Sequence, residues 1–304
     1  MNGYLIIDKP AGFTSFDVVN KLKRLLQTKK IGHGGTLDPM VTGVLPVFVG
    51  NATRAIPLIP DGDKTYECTM ILGVTTDTED MTGTVLSEKE VTAGEDRIRE
   101  VMQSFTGPYL QTPPMYSAKK VNGKKLYELA RKGIETERMP ELRTVYSITV
   151  DEIALPRVRF TAKVSRGTYI RTLCRDAGER IGSGGTMDTL RRTVHGRFSL
   201  SDAVTLKAVE DACSRGEAAS LLRPAEELFP DAPVLTVSEA GDRFLANGNP
   251  LTVRNFGFET PDACPEEAKA AELVRIRRSD GEFGGLYRFS GEDGEFVPVR
   301  IFSA

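Results

Sequence analysis

The feature of this sequence that most constrains its fold is a glycine-rich turn that runs directly into an apolar segment, within residues 32–53. Three of the first four residues are glycines, which permit backbone angles and close approaches that other residues resist. Asp38 follows, and the ring of Pro39 restricts it to extended or turn geometry. Residues 44–49 are entirely apolar apart from their proline. We therefore expect one carboxylate at a stiff corner between a glycine turn and a buried segment.

Several roles are open to this carboxylate. A fixed, partly desolvated aspartate that is open to a ligand on one side suits catalysis. An aspartate before proline is also a common turn former, whose side chain caps a nearby backbone N–H. A phosphate-binding loop is disfavoured, because the Gly-Lys-Ser/Thr of the Walker motif does not follow the glycines.

The composition is that of an ordinary globular chain. Apolar residues make up 40% and charged residues 27% of the 304 positions, and no apolar stretch approaches 18 residues. We expect no membrane segment and a cytoplasmic location. The four cysteines are scattered without a Cys-x-x-Cys pair, which predicts reduced, mostly buried thiols and neither a disulfide framework nor a metal site.

The net charge of −2 hides a basic front and an acidic tail. Residues 1–60 carry seven Lys and Arg against three Asp, whereas residues 223–304 carry nine against fifteen Asp and Glu. Residues 119–133 hold six basic residues and one acid. Tyr127 lies among them, and Tyr116 lies just before them. Local clusters decide phosphate binding, and rings can stack on bases, so this segment predicts an RNA backbone clamp. A solvated helix face is the alternative.

Apolar periodicity predicts alternating helices and strands up to residue 229. The predicted elements are strand Tyr4–Ile7, helix 15–28 capped by Thr14 or Ser15, strand 64–73, helix 93–105, two strands within 143–165, and a helix from its cap Thr168 to Ile181. After Phe229-Pro230 the composition becomes acidic. Five short strands there, within 234–237, 251–253, 273–276, 285–289 and 297–302, predict a small β-barrel.

Two side chains on these elements are ambiguous from the residues alone. Tyr66 could stack on a ligand or simply pack on a sheet face. Arg171 lies in a first helical turn, where the helix dipole disfavours a cation. It therefore has either a specific acidic partner or an ordinary surface position.

Motifs along the chain resemble, in the same order, those of the TruB family, tRNA pseudouridine synthases that act on the T-loop uridine. The matching stretches are Leu5–Ser15, His33–Pro39 with Thr42–Pro46, Lys64-x-Tyr66 with Leu72-Gly73, Gln111–Ala118 with the lysines after it, Gly167–Arg171 and Leu190–Arg192. The usual family form has Thr at the position of Gly34. The resemblance covers about residues 3–223.

The resemblance implies an α+β fold. A catalytic domain of pseudouridine synthase type, with a mixed, mainly antiparallel sheet and flanking helices, would occupy residues 1–229. A PUA-like β-barrel would occupy residues 230–304. The basic segment would form an RNA-binding flap over about residues 111–142.

The implied reaction is the isomerisation of uridine to pseudouridine at T-loop position 55 of tRNA, after the base is flipped out of its stack. Asp38 would be the nucleophile or base, Arg171 would pair with it, and Tyr66 would stack on the target ring. His33 would fill the vacated stack, while Tyr169 lines and Leu190 closes the pocket. The implied cationic substrate contacts are Lys9, Lys64, Lys119, Lys124 and Arg131.

No redox step occurs in this reaction, so no cofactor or metal is expected. The expected partner is the T-arm of tRNA, bound without a membrane, guide RNA or obligate protein, because guide-dependent relatives have a shorter segment at 119–142. A non-catalytic tRNA-binding or remodelling protein is the alternative. It is disfavoured because binding alone needs no carboxylate facing anionic RNA.

Overall fold

In a computed structural model of the chain, the structure is described for residues 1–117, 119–121, 123–134, 136–292 and 294–302. The strands are β1 (Gly3–Lys9), β2 (Ile31–His33), β3 (Thr42–Val49), β4 (Lys64–Leu72), β5 (Val74–Thr76), β6 (Val85–Glu88), β7 (Gly107–Gln111), β8 (Lys120–Val121), β9 (Lys124–Lys125), β10 (Glu141–Ala154), β11 (Arg157–Val164), β12 (Gly185–His195), β13 (Phe198–Ser199), β14 (Ala203–Thr205), β15 (Val234–Thr236), β16 (Leu251–Thr252), β17 (Val274–Arg277), β18 (Phe283–Ser290) and β19 (Glu295–Ile301).

The α-helices are α1 (Ser15–Leu25), α2 (Glu95–Gln103), α3 (Leu126–Ala130), α4 (Ile170–Ile181), α5 (Leu206–Ser214), α6 (Glu239–Ala246) and α7 (Glu266–Ala270). A 3₁₀ helix, Gly50–Leu58, follows β3. Among the described residues, no helix is both long and apolar enough to cross a membrane.

A ten-stranded sheet forms the larger part of the molecule. Its order is β14-β1-β3-β12-β4-β11-β10-β7, with β2 added on β3 and β13 on β12. Only the β1–β14 and β3–β12 pairs are parallel. The mixed, mainly antiparallel α+β fold expected from the sequence is therefore confirmed.

The apolar run of β1 is explained by burial of both faces of the sheet. Leu5 and Ile7 pack into the core beneath helices α1, α2, α4 and α5. Tyr4 and Ile6 point the other way, into a second core shared with Leu286 and other residues of the C-terminal part. A strand covered on both faces has no reason to alternate apolar and polar residues.

The C-terminal part is a second sheet of five strands. Its order is β15-β17-β18-β19-β16, and the five predicted strands all form. The sheet curls as a half-barrel, consistent with the PUA-like architecture expected. Phe229 and Phe302 meet edge to face, with 6.4 Å between ring centroids, where this sheet packs against the larger one.

Helix boundaries differ from the predictions in two informative places. The first helix begins as expected with a Thr14 capping box, formed with Asp17, but it ends at Leu25. The helix bearing Arg171 begins at Ile170, and its N-cap is Tyr169, without a side-chain cap. Thr168 is therefore not the cap, and its hydroxyl donates to the Ser165 carbonyl instead.

The expected flap contains the hairpin β8–β9 and helix α3, between β7 and β10. Ala118, Asn122 and Glu135 of this segment lie outside the described residues. The paired prolines before the hairpin are in irregular structure, as predicted.

Candidate active site

Strand pairing aligns two candidate side chains, Tyr66 and Leu190, on one face of the large sheet. Tyr66 on β4 lies opposite Arg192 on β12, and Cys68 lies opposite Leu190. Directly opposed residues, and residues two apart, share a face of a sheet. Tyr66 and Leu190 therefore point to the same side, although they are 124 positions apart in sequence. Tyr66 is almost fully buried, and burial raises the pKa of its hydroxyl.

The loop that carries Asp38 is tied to the start of α1. The Leu37 N–H donates to Ser15 Oγ over 3.0 Å, and the Ser15 hydroxyl donates back to the Leu37 carbonyl over 3.3 Å. The Gly12 N–H donates to the Pro39 carbonyl over 2.9 Å. The residues on both sides of Asp38 are thus fixed, whereas its own side chain is 49% exposed. This is a held carboxylate that a ligand can reach.

Arg171 joins this loop to two other segments. Its Nη2 lies 3.1 Å from Asp38 Oδ2, the ion pair that the resemblance implies. The same Nη2 donates to the Tyr116 carbonyl over 2.9 Å, and Nη1 donates to the Thr78 carbonyl over 3.1 Å. The arginine side chain is only 7% exposed. Of the two alternatives left by the sequence, the specific acidic partner is the one observed.

A second carboxylate, Asp80, holds the other side of Arg171 and was missed by the sequence analysis. Its Oδ2 lies 3.3 Å from Arg171 Nη1. Its Oδ1 accepts from the Thr78 hydroxyl and from the Thr82 N–H. It lies in the turn between β5 and β6, which carries none of the motifs used in the sequence analysis. Because one carboxylate binds each terminal nitrogen of the buried guanidinium, the position of Arg171 is restrained.

Arg192 is a second residue that the sequence analysis left without a role. It is almost fully buried, its Nε donates to the Val44 carbonyl over 2.9 Å, and it hydrogen-bonds the Tyr66 side chain. Gly43 stands beside it with φ +103°, and a Cβ there would lie 2.1 Å from the Arg192 carbonyl. Glycine is thus required for β3 to approach β12 next to the aspartate loop.

Gln111 supplies the cap that α4 lacks. Its Nε2 donates to the Tyr169 carbonyl over 2.9 Å, and its Oε1 accepts from the Tyr169 N–H over 2.8 Å. Gln111 is the last residue of β7, immediately before the flap, and is nearly inaccessible. The root of the flap is therefore bonded to the helix start that positions Tyr169 and Arg171.

We expect Gln111→Ala to lower stability by about 2 kcal/mol, because two hydrogen bonds are lost and the Tyr169 N–H is left unpaired, whereas the Tyr169 carbonyl keeps the Leu173 N–H as a donor. Turnover should also fall by about tenfold as Tyr169 and Arg171 lose their support. Urea unfolding and steady-state rates measure the two effects. Gln103→Ala is the matched control. It removes a single hydrogen bond, from the side-chain amide to the Ile148 carbonyl, and should lower stability by less. Wild-type stability and rate in Gln111→Ala would contradict the proposed support.

The two histidines of the chain lie at the glycine turn, His33 within it and His195 packed against Gly35. A Cβ on Gly35, which has φ +78°, would lie 2.6 Å from His195 Cε1, so this position admits only glycine. His195 Nε2 lies 3.0 Å from Asp61 Oδ1. His33 belongs to β2 and is half-buried, and burial lowers the pKa of its ring. Within the described structure, the Nδ1 atoms of both histidines are buried without a hydrogen-bond partner.

Both histidines line a cavity of about 970 Å³ between the glycine turn and the C-terminal part. Its walls include Phe48, Phe198 and Leu228, whereas Asp38, Tyr66 and Arg171 do not contribute to it. This cavity is thus separate from the paired side chains of Asp38 and Arg171. Asp38 lies outside this cavity, with its side chain 49% exposed and paired with Arg171.

His195 makes the stability of the protein pH-dependent in a defined direction. Burial, reinforced by the charges of Arg192 and Lys64 and opposed by Asp61, lowers the pKa of His195 from 6.5 to about 4. Between these values the unfolded chain binds the proton and the folded chain does not, so acidification favours unfolding. From pH 7.5 to pH 5 we expect a loss of about 2 kcal/mol from this residue, measured by urea unfolding at both pH values. His195→Gln should lack that part of the loss, and an unchanged pH dependence in the variant would refute the assignment.

Lys9 does not meet the expectation of a phosphate contact. It is fully buried, and its ammonium donates to the carbonyls of Pro10, Phe13 and Pro39. Burial lowers the pKa of Lys9 to about 8, although the charge of Asp38 opposes the shift. All three N–H donors of the ammonium are used by backbone carbonyls around Asp38. The expected role of Lys9 as a phosphate contact is therefore wrong.

Lys64 is also withdrawn from the surface. It is buried at the start of β4 and forms an ion pair with Asp61. Burial is the main reason that the pKa of Lys64 is lowered. Lys9 of the Lys-Pro pair and Lys64 of the Lys-x-Tyr motif are therefore structural in this fold, and neither offers its charge to RNA.

The flap cations are more accessible. Lys124 and Arg131 are exposed, and the Arg131 guanidinium lies 5.4 Å from the Tyr127 ring centroid. Lys119 is half-buried and paired with Glu141. Lys124 and Arg131 remain candidates for phosphate contacts. Lys119 can contact a phosphate only by releasing Glu141.

The cysteines are free, and three of the four are buried, as the sequence predicted. Cys68 and Cys174 place their sulfur atoms 3.7 Å apart behind the site, and burial raises the pKa of Cys68. Within the described ranges, no three His, Cys, Asp or Glu side chains are grouped as metal ligands. The expectation that the reaction needs no metal or cofactor stays a prediction.

Comparisons with known proteins agree with this geometry. The model of the TruB family pseudouridylate synthase N-terminal domain matches residues 23–170, and that of the tRNA pseudouridylate synthase B C-terminal domain matches residues 171–229. The tRNA pseudouridine synthase B of Clostridium kluyveri is 48% identical over 302 residues, which span 99% of this chain and 100% of the relative. That of Syntrophus aciditrophicus is 46% identical over 294 residues, 95% of this chain and 91% of the relative.

A similar solved structure is that of a Cbf5-Nop10-Gar1 complex, with a TM-score of 0.68 and 28% identity, covering 99% of this chain and 84% of the other. An H/ACA RNP bound to a substrate RNA containing 2′-deoxyuridine aligns with a TM-score of 0.67 and 26% identity, covering 99% and 85% of the two chains. Both comparisons extend over the large sheet and the C-terminal part.

Proposed function

Since this chain belongs to the TruB family of pseudouridylate synthases, we propose that it converts uridine to pseudouridine at T-loop position 55 of tRNA, with Asp38 as its catalytic carboxylate. The observation that carries the proposal is the half-exposed Asp38 paired with the buried Arg171, beside Tyr66 and Leu190 on the sheet face. A protein that only bound RNA would gain nothing from a carboxylate at the centre of its groove.

The reaction breaks the N1–C1′ bond of the uridine and joins C5 to C1′. The hydrogen on C5 leaves to solvent, and N1 takes up a proton after the base has rotated. Asp38 would act either as the nucleophile at C1′ or as the base at C2′, as a carboxylate can in either role. Arg171 pairs with Oδ2, which leaves Oδ1 for the ribose.

The neighbouring side chains would handle the base. A uridine inside a folded loop must be extruded, and His33 would fill the space that it leaves. Tyr66 would stack on the extruded ring, Leu190 would close the opposite side, and Tyr169 would line the pocket. Leu190 and Tyr169 are half-buried, so each has a surface available to a bound ring.

The T-arm would be held directly by the flap. Lys124 and Arg131 are exposed and would contact phosphates, with Tyr127 nearby for stacking. We propose no guide RNA and no obligate protein partner, because this segment supplies the RNA contact from the chain itself. A tRNA substrate would also place the enzyme in the cytoplasm. We divide the chain at Phe229-Pro230 into a catalytic domain, 1–229, and a PUA-like domain, 230–304.

Tritium release from a tRNA transcript labelled with 5-³H-uridine tests the proposal. Loss of the C5 hydrogen must accompany every turnover, so we expect one equivalent of label per tRNA. A transcript with cytidine at position 55 should bind and release none. Tight binding of the normal transcript without release would instead support the RNA-remodelling alternative, and release that persists with cytidine at position 55 would reject the assigned site.

A further inference from the structure

An exposed phenylalanine lies in the first turn of α1. Phe16, the second residue of α1, is 63% exposed. A single apolar residue on a surface is common and means little by itself. Its location must therefore decide whether it has a role.

The contacts of α1 place Phe16 next to the catalytic loop. Ser15, the residue before it, exchanges two hydrogen bonds with Leu37, the residue before Asp38. On the other side of the aspartate, Met40 is 54% exposed. Two exposed apolar side chains thus belong to segments that are bonded together at the aspartate loop.

The charges around Phe16 favour an anionic ligand. Lys23 Nζ lies 5.8 Å from the Phe16 ring centroid, and Arg24 and Lys29 are exposed on the same segment. The acid nearest in sequence, Asp17, is engaged by the N–H and hydroxyl of Thr14. The patch therefore combines an accessible ring with cations that outnumber this one carboxylate.

We propose that Phe16 and Lys23 form a stacking platform for an unpaired RNA base beside the target uridine, with the Lys23 ammonium near that nucleotide's phosphate. A nucleotide is the ligand that requires both a ring face and a cation at this distance. The inference rests on the proposed function, because it takes the bound RNA as its ligand. It assigns to α1 a substrate contact that does not involve the reacting uridine.

The test uses the full chain with a T-arm minihelix RNA and measures the dissociation constant and the single-turnover tritium release separately. We expect Phe16→Ala to raise the dissociation constant roughly tenfold and to leave the release rate at saturating enzyme within about twofold of wild type. Phe16→Tyr should bind as wild type does, and Phe16→Leu should bind as Phe16→Ala does, because leucine retains the apolar surface without a stacking face.

Controls separate the outcomes. Phe244→Ala removes another exposed phenylalanine, from α6 of the acidic C-terminal part, and should have no effect on RNA affinity. Wild-type affinity in Phe16→Ala, or full affinity in Phe16→Leu, would overturn the platform while leaving the proposed function intact. Absence of label release from the wild-type protein would instead reject the proposed function.

A fluorescent base identifies the nucleotide. In minihelices with 2-aminopurine at one loop position at a time, stacking on Phe16 should quench one position with wild type and not with Phe16→Ala. Equal quenching by both proteins at every position would also overturn the inference. Binding of acidic peptides in place of RNA, with RNA affinity unchanged by the substitution, would assign the patch to a protein partner and reject our proposal.

Discussion

Asp38→Asn is expected to reduce tritium release by at least about 10³-fold while tRNA binding is retained. The amide has nearly the shape of the carboxylate and can remain beside Arg171, but it can serve neither as a nucleophile nor as a base. Removing a negative charge from a groove that faces phosphates should, if anything, strengthen RNA binding. Single-turnover label release and a filter-binding isotherm on the same transcript measure the two effects.

A matched carboxylate shows that the effect is local. Asp63→Asn removes the same charge from a half-buried residue ahead of β4, where Asp63 accepts a hydrogen bond from Tyr146. Its release rate should stay near that of wild type. Release that survives in Asp38→Asn would mean that another group performs the chemistry and that the site has been misassigned.

Arg171→Lys is expected to lower the single-turnover rate by about 10²-fold with little change in RNA affinity. The guanidinium reaches the carbonyls of Thr78 and Tyr116 and the carboxylates of Asp38 and Asp80 together. A lysine keeps the charge, but its three donors radiate from one atom and cannot reproduce that fork. The carboxylate of Asp38 would lose its fixed orientation, so the rate rather than the binding should suffer.

Two further variants frame this result. Asp80→Asn leaves Arg171 in place with one neutral acceptor and should lower the rate by about tenfold, less than Arg171→Lys. Arg180→Lys changes an exposed arginine at the other end of the same helix and should keep the wild-type rate. If Arg171→Lys and Arg180→Lys behave alike, the guanidinium geometry has no part in catalysis.

The accuracy of the sequence-based fold depends on what each pattern reports. Apolar periodicity located β1, β4, β10 and β11 of the large sheet and all five strands of the C-terminal sheet, because it records which side chains avoid water. Cap assignments failed at Thr168, because a cap depends on a partner from elsewhere in the chain. Gln111, 58 positions away, supplies the bonds at that helix start, and no local pattern encodes such a distance.

The site was predicted unevenly for a similar reason. Asp38 and Arg171 were identified through motifs, and their ion pair is present. Lys9 was assigned to phosphate because charge type is visible in a sequence, whereas burial is not. Asp80 was overlooked because its turn has ordinary turn composition, and only its distance from Arg171 distinguishes it.

By itself, the sequence determined the apolar faces, the basic segment and the motif around Asp38, because residue type and spacing act over a few neighbouring positions. The α+β class and the flap were implied by the resemblance of the motifs to the TruB family. Only the tertiary structure decided which cations reach solvent, that Arg171 is shared between Asp38 and Asp80, and that Phe16 lies beside the catalytic loop. Those relations arise when segments far apart in sequence are packed together, because burial and hydrogen bonding depend on distances in space.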